Sequence, residues 1–316
     1  MSGIFIALQG AVAQGILWGV MVLGVYITYR LLNIADLTVD GSFALGGCVC
    51  ATLIINFNMN PALALVIAAL AGMLAGAVTG FLHTVLEIPA ILAGILTQIS
   101  LWSVNLRIMS GKSNIPLLKL QTLISGVGDL FGLSQAQASI IVGVLIAVLM
   151  VMVLYWFFGT EIGSAIRATG YNEDMIRALG VNTGKMKLFG LMISNSLVSL
   201  SGALVCQHQK YADINMGRGA IVIGLAAIVI GEVLLGVAGS LFVGKLENFA
   251  FRLLAVVLGS AVYFLIRAIV LQLGLKTNDM NLFTAVFVAL ALSIPVLTAK
   301  WRAKQAYSET GEEDDT

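Results

Sequence analysis

Few residues in this chain are placed to do chemistry, and their spacing decides what each group can be. Gly111-Lys-Ser113 invites comparison with a phosphate-binding loop, but that loop needs a glycine five residues before Gly111, where Leu106 stands, and a strand before it rather than an apolar run. His83 and His208 lie in separate segments with no paired ligands. Cys48, Cys50 and Cys206 fall in or beside apolar runs without metal-ligand spacing and read as small packing residues. No Gly-x-Ser-x-Gly nucleophile elbow is present. The enzyme reading therefore has no anchor, and no cofactor or metal is expected. What remains is a set of polar side chains embedded in, or next to, apolar sequence: Asn33, Asp36, Asp40, Ser42, Gln98, Asn105, Asn195 and Glu232.

The elements that must position them follow from composition. Hydrophobic residues make up 59% of the chain and charged residues 10%, and the mean hydropathy is +1.00. That is far from the balance of a soluble domain and fits an all-α polytopic membrane protein. A bilayer core needs about 20 apolar residues per helix, and the chain offers about nine such runs. They lie near 4–29, 43–55, 61–82, 89–109, 136–158, 186–205, 220–237, 249–273 and 282–297. Residues 1–299 then form one transmembrane domain and residues 300–316 a charged tail. The net charge of +1 leaves no basic face for nucleic acid; the partner composition demands is the lipid bilayer. No Lys or Arg precedes the first run, so a removable signal peptide is not expected.

In that setting the embedded polar groups are costly unless they meet water, protein or solute, which makes all eight candidates for a solute pathway. Each has a plainer alternative. Asp36 and Asp40 could cap the second helix, Gln98 and Asn105 could bond between helices while Arg107 snorkels outward, and Glu232 could be satisfied by Lys245 or Arg252. Glycines at 15 and 19, and at 72, 76 and 80, recur every fourth residue and predict close helix packing.

The one long polar stretch between apolar runs is 159–187. Its pattern predicts two short helices joined at Gly170: the first near 161–169 with Ile162, Ala165 and Ile166 on one stripe, the second capped by Asn172, with Glu173 and Asp174 in its first turn and Gly180 at the left-handed stop. Met175, Ile176 and Leu179 form an apolar ridge one turn long, shaped either to dock into a partner or to lie in the lipid headgroups. Arg167, Arg177, Lys185 and Lys187 place this loop on the cytoplasmic side, as Lys300, Arg302 and Lys304 place the tail, leaving the N-terminus and the 110–135 loop outside.

Gly163-Ser-Ala-Ile-Arg-Ala-Thr-Gly-Tyr-Asn-Glu-Asp-Met-Ile-Arg-Ala-Leu-Gly-Val181 resembles the cytoplasmic coupling loop of ABC importer permeases of the branched-chain amino acid and ribose group. Asp36-Leu-Thr-Val-Asp-Gly-Ser42 is similar to a stretch near the start of the sugar members, and 226–240 to their glycine-rich region. Glu232, where glycine is usual, and the extra acid Asp40 look more like the tryptophan and tyrosine-type subgroup. The resemblance implies a bacterial inner-membrane permease, a second permease copy, separate cytoplasmic ABC ATPase subunits and an extracytoplasmic substrate-binding protein. By the same carry-over, Arg167, Ala168, Asn172, Ala178, Leu179 and Gly180 are ATPase-coupling positions, and the solute is a small one, an aromatic amino acid by preference. The readings that compete with it are an ion-coupled secondary carrier built on the intramembrane acids and a membrane assembly scaffold.

Overall fold

In the computed structural model, residues 2–118, 120–241, 248–274, 279, 282–286, 289–290 and 293 are described. The chain is a helical bundle. Its long helices are α1 (Ser2–Tyr26), α2 (Thr38–Phe57), α3 (Pro61–Thr84) and α4 (Ala90–Ile108). A short strand β1 (Asn114–Pro116) and a helix α5 (Leu123–Phe131) lead to α6 (Gln135–Phe158). Two short helices, α7 (Glu161–Tyr171) and α8 (Glu173–Ala178), precede α9 (Thr183–Gln209). A second strand β2 (Tyr211–Asp213), α10 (Ala220–Leu241) and α11 (Phe249–Gln272) follow.

Among the described residues seven helices are long and apolar enough to cross a membrane, and α10 contributes a shorter apolar stretch at Ala220–Gly236. The expected count of nine is not reached, because α10 counts only as that shorter stretch and half of the ninth run lies outside the described residues; the tail at 300–316 and Lys245 lie outside them too. Three local expectations change. The 110–135 segment is not a plain loop, since Thr122 and Ser125 cap α5 reciprocally. The seventh run does not stop at 237 but continues helically through Gly239 to Leu241, as bilayer helices tolerate glycine. The first run ends in a π-helical turn at Ile27–Leu31 and breaks over 32–37 before α2 begins.

The bundle is built around α9, which packs on α1, α2 and α3. The expected glycine faces make this possible. A Cβ at Gly72 or Gly76 would collide with the Asn195 or Leu191 carbonyl of α9, and Gly15 lies so close to Ala261 of α11 that a Cβ there would sit 2.6 Å from its Cα. Cys48, Cys50 and Cys206 are buried in this core. β1 and β2 pair antiparallel, Ile115 opposite Ala212, and so hold the 110–135 segment and the end of α9 together at one end of the bundle. α7 and α8 lie at the start of α9, hence at the other end.

Between β2 and α10 the chain dips into the bundle. Met216 packs against Gly47, and Gly217 against the Asp40 carbonyl, so α10 begins beside the first turn of α2. That point is about 25 Å along α2 from its far end at Phe57.

Candidate functional site

At the end of the bundle that carries α7 and α8, sequence and structure agree on most of the polar loop. Asn172 caps α8 by accepting from Met175 N–H at 3.0 Å, and Gly180 sits at φ +85° just beyond it. Gly170 is not the joint, however. It lies inside α7, where a Cβ would collide with the Leu31 carbonyl, so its smallness serves close packing of α7 on the π-helical turn. Ile166 is buried whereas Ile162 is exposed, which narrows the expected stripe.

The ridge is narrower too. Ile176 is 7% exposed and belongs to the chain's own interior, while Met175 and Leu179 are 55% and 69% exposed. The reason is that α8 packs on α7 and α9, so a three-residue ridge cannot face outward as a whole. Arg167 projects over the Phe249 ring at 5.4 Å, and Ala168 is partly buried, whereas Ala178 and Gly180 are exposed.

Glu173 braces the arrangement. Its Oε1 accepts from Arg177 at 2.9 Å and from Thr183 Oγ1 at 3.1 Å, and its Oε2 accepts from Lys187 Nζ at 2.6 Å. The Lys187 ammonium, and after it Thr183 and Arg177, hold the Glu173 carboxyl below its ordinary value, against the opposing effect of desolvation. α8 is thereby tied to the first turns of α9.

Within the bundle the eight polar candidates separate into groups. Asp36, Ser42 and Asn195 meet in a closed network. Asn195 Nδ2 donates to Asp36 Oδ2 at 2.7 Å, Ser42 Oγ donates to Asn195 Oδ1 at 2.7 Å, and Thr38 N–H donates to Asp36 Oδ1 at 2.9 Å. All three side chains are buried, and the network ties the 32–37 break to α9. Asn33 stands apart from it as an exposed turn residue at φ +55°. Glu232 forms a bidentate pair with Arg30, both contacts at 2.6 Å, rather than meeting Arg252. Arg30 is on the π-helical turn, so the pair ties the end of α1 to α10.

The third group is open. Asp40, Gln98 and Asn105 line a hollow of about 320 Å³ between α2, α4 and the 214–219 segment, together with Trp102, Ser103 and Arg218. Asp40 Oδ2 accepts from Gly219 N–H at 3.0 Å and Oδ1 from Ile221 N–H at 3.1 Å, which caps α10 deep in the bundle. Arg218 was not singled out by its sequence context, although a cation in the short polar stretch ahead of an apolar run was the available signal. Trp102 gave no signal, since an aromatic in an apolar run ordinarily packs.

Comparison with known proteins shows the family of the chain. The family model described as the branched-chain amino acid transport system / permease component matches residues 7–295. A tyrosine transport system permease protein of Clostridioides difficile (strain R20291) is 36% identical over 288 residues, covering 91% of this chain and 90% of that protein. An uncharacterized protein of Rickettsia prowazekii (strain Madrid E) is 32% identical, covering 90% of this chain and 95% of that protein. The ribose import permease protein of Escherichia coli (strain K12) is more distant, 26% identical with 77% of each chain covered. No solved structure matches. The polytopic helical bundle and the match along nearly its whole length mean that this chain is an ABC-transporter permease belonging to the branched-chain amino acid transport system permease family.

Proposed function

We propose that this chain is the membrane-spanning subunit of an ATP-driven importer in a bacterial inner membrane, that it works as a homodimer, and that its solute is an amino acid, with an aromatic one favoured. The observation that carries the importer reading is the α7–α8 unit: a short helix braced through Glu173 that presents Met175 and Leu179 outward from an end of the bundle rich in Arg and Lys. No nucleotide site is legible in the sequence, so energy enters through a separate cytoplasmic ATPase subunit on which that ridge docks. The braced α7–α8 unit transmits a push to α6 and α9, its neighbours in the chain, and so changes which side the bundle's interior faces. An extracytoplasmic binding protein delivers the solute to the opposite end. The amino-acid reading rests on the relative named as a tyrosine transport permease.

A second copy of the chain is supported by a mismatch on α4. α4 is the least apolar of the seven spans and α6 the most apolar, yet both leave most of their surface outside the bundle. Lipid suits α6; a helix exposing Ser100, Ser103 and Arg107 is better matched by a protein face and a water-filled path. An ion-driven carrier fits less well, because Glu232 is held by Arg30 and Asp40 by two backbone N–H groups.

Purification of the tagged chain in mild detergent with its native neighbours tests the reading. A stoichiometric ATPase subunit is expected to accompany it. In the complex, Leu179→Asp is expected to cut solute uptake at least about tenfold while the chain stays folded, since one buried leucine contributes roughly 1.5 to 3 kcal/mol to docking. A chain that arrives alone and accumulates solute on an ion gradient would sink the importer assignment.

A further inference from the structure

Among the described residues, only two buried side-chain polar atoms lack a hydrogen-bond partner: Trp18 Nε1 and Asn105 Oδ1. Both residues line hollows, and the two hollows share a wall. Asn105 faces the space of about 320 Å³ beside α4, and Trp18 a wider one of about 820 Å³ between α1, β2 and α11; Asn215 and Arg218 border both. The wall is the irregular 214–219 segment. Irregular backbone at this depth is tolerated where it is enclosed by protein or lines a polar cavity, and here it separates two such cavities.

The charged groups on this hollow do not pair with each other. Arg218 makes no ion pair with any described residue. Asp40, on the same hollow, has both carboxylate oxygens engaged by the backbone at the start of α10. Arg218 is exposed, and a guanidinium outside any ion pair offers a planar fork matched to a carboxylate. Asn105 is 1% exposed, and its Nδ2 donates only a long bond of 3.4 Å to the Gly41 carbonyl, so its Oδ1 is an acceptor awaiting a donor. Gln98 and Ser103 add polar groups to the wall, and Ala44, Ile99, Trp102 and Ile214 add apolar side chains.

From this arrangement we infer that the hollow between α2, α4 and residues 214–219 is a solute subsite for a free α-amino acid, with the solute carboxylate on Arg218, its ammonium on Asn105 Oδ1, and its side chain against Ile99 and Trp102. The inference rests on the amino-acid importer reading and adds the place and the recognising groups. Solute entering from the wider hollow passes Arg218 and Asn215, which border both spaces. The subsite does not replace the selectivity of a binding protein; it holds the zwitterionic head group during passage.

The test uses the complete importer in proteoliposomes with its own ATPase and binding protein, saturated with L-tyrosine as the probe. Arg218→Gln is expected to lower tyrosine uptake at least about tenfold while ATP hydrolysis stimulated by the loaded binding protein stays within about twofold of wild type, separating solute passage from coupling. Arg218→Lys is expected to restore part of the uptake, and Asn105→Leu to lower it several-fold with hydrolysis retained. Wild-type uptake in Arg218→Gln would overturn the subsite, and so would an equal loss of uptake and stimulated hydrolysis. If the wild-type complex accumulates no amino acid at all, the amino-acid reading itself fails, an outcome that no variant is needed to recognise.

Discussion

Two polar clusters inside this bundle are made from nearly the same parts. Each has an aspartate from 36–40 and an amide from a long helix, yet one is closed and the other open. In the first, every polar atom named at Asp36, Asn195 and Ser42 has a partner at 2.7 to 2.9 Å, and the three side chains are sealed from solvent. In the second, Asp40 is capped into α10, but Asn105 Oδ1 has no partner and Arg218 makes no ion pair among the described residues. A satisfied network fixes a fold; an unsatisfied one of the same composition costs stability and persists where a ligand completes it. Residue type alone therefore says little about which polar group in a membrane protein handles solute.

Substitutions can break or sharpen that contrast. The largest effect on stability is expected from Asn195→Leu, which leaves Asp36 Oδ2 and Ser42 without their partner and should lower stability by about 3 kcal/mol. Thermal unfolding in detergent would read this as a marked fall in the midpoint or a loss of monodisperse protein. An unchanged midpoint would mean the closed network is not structural.

A smaller, local effect is expected at α8. Because the folded Glu173 carboxyl lies below its ordinary value near 4.5, its bracing is fully present above that value and is lost as pH falls through the lowered one. Hydrogen exchange of α8, corrected for intrinsic rates, should stay flat from pH 7 to about 5 and rise under more acid conditions. Glu173→Gln should show the looser exchange at every pH.

The smallest effect on stability is expected at Asn105. Asn105→Leu removes an unpaired buried acceptor and should be neutral, or stabilising by up to about 1 kcal/mol. If it destabilised the chain as much as Asn195→Leu does, the two clusters would be alike and the contrast would fail.

Much of the scaffold was legible in the chain itself. Apolar runs of bilayer length marked the helices, because lipid imposes both length and composition. Four-residue glycine spacing marked the α3 face that meets α9, and Asn172 and Gly180 marked the limits of α8, because caps act through local backbone geometry. Less legible were features that depend on distant partners. Arg30 finds Glu232 across 202 residues, Ile176 turns inward under the ridge it was expected to share, and Gly170 meets the Leu31 carbonyl rather than making a turn.

The sequence by itself determined that this is a polytopic helical membrane protein with a polar two-helix loop between α6 and α9, since period, length and capping are written in neighbouring residues. Only the tertiary structure decided which polar groups are closed and which are open. Whether Asp36 or Asp40, Asn195 or Asn105, meets a partner depends on helices brought together from opposite ends of the chain, and on the depth to which the 214–219 segment dips between them.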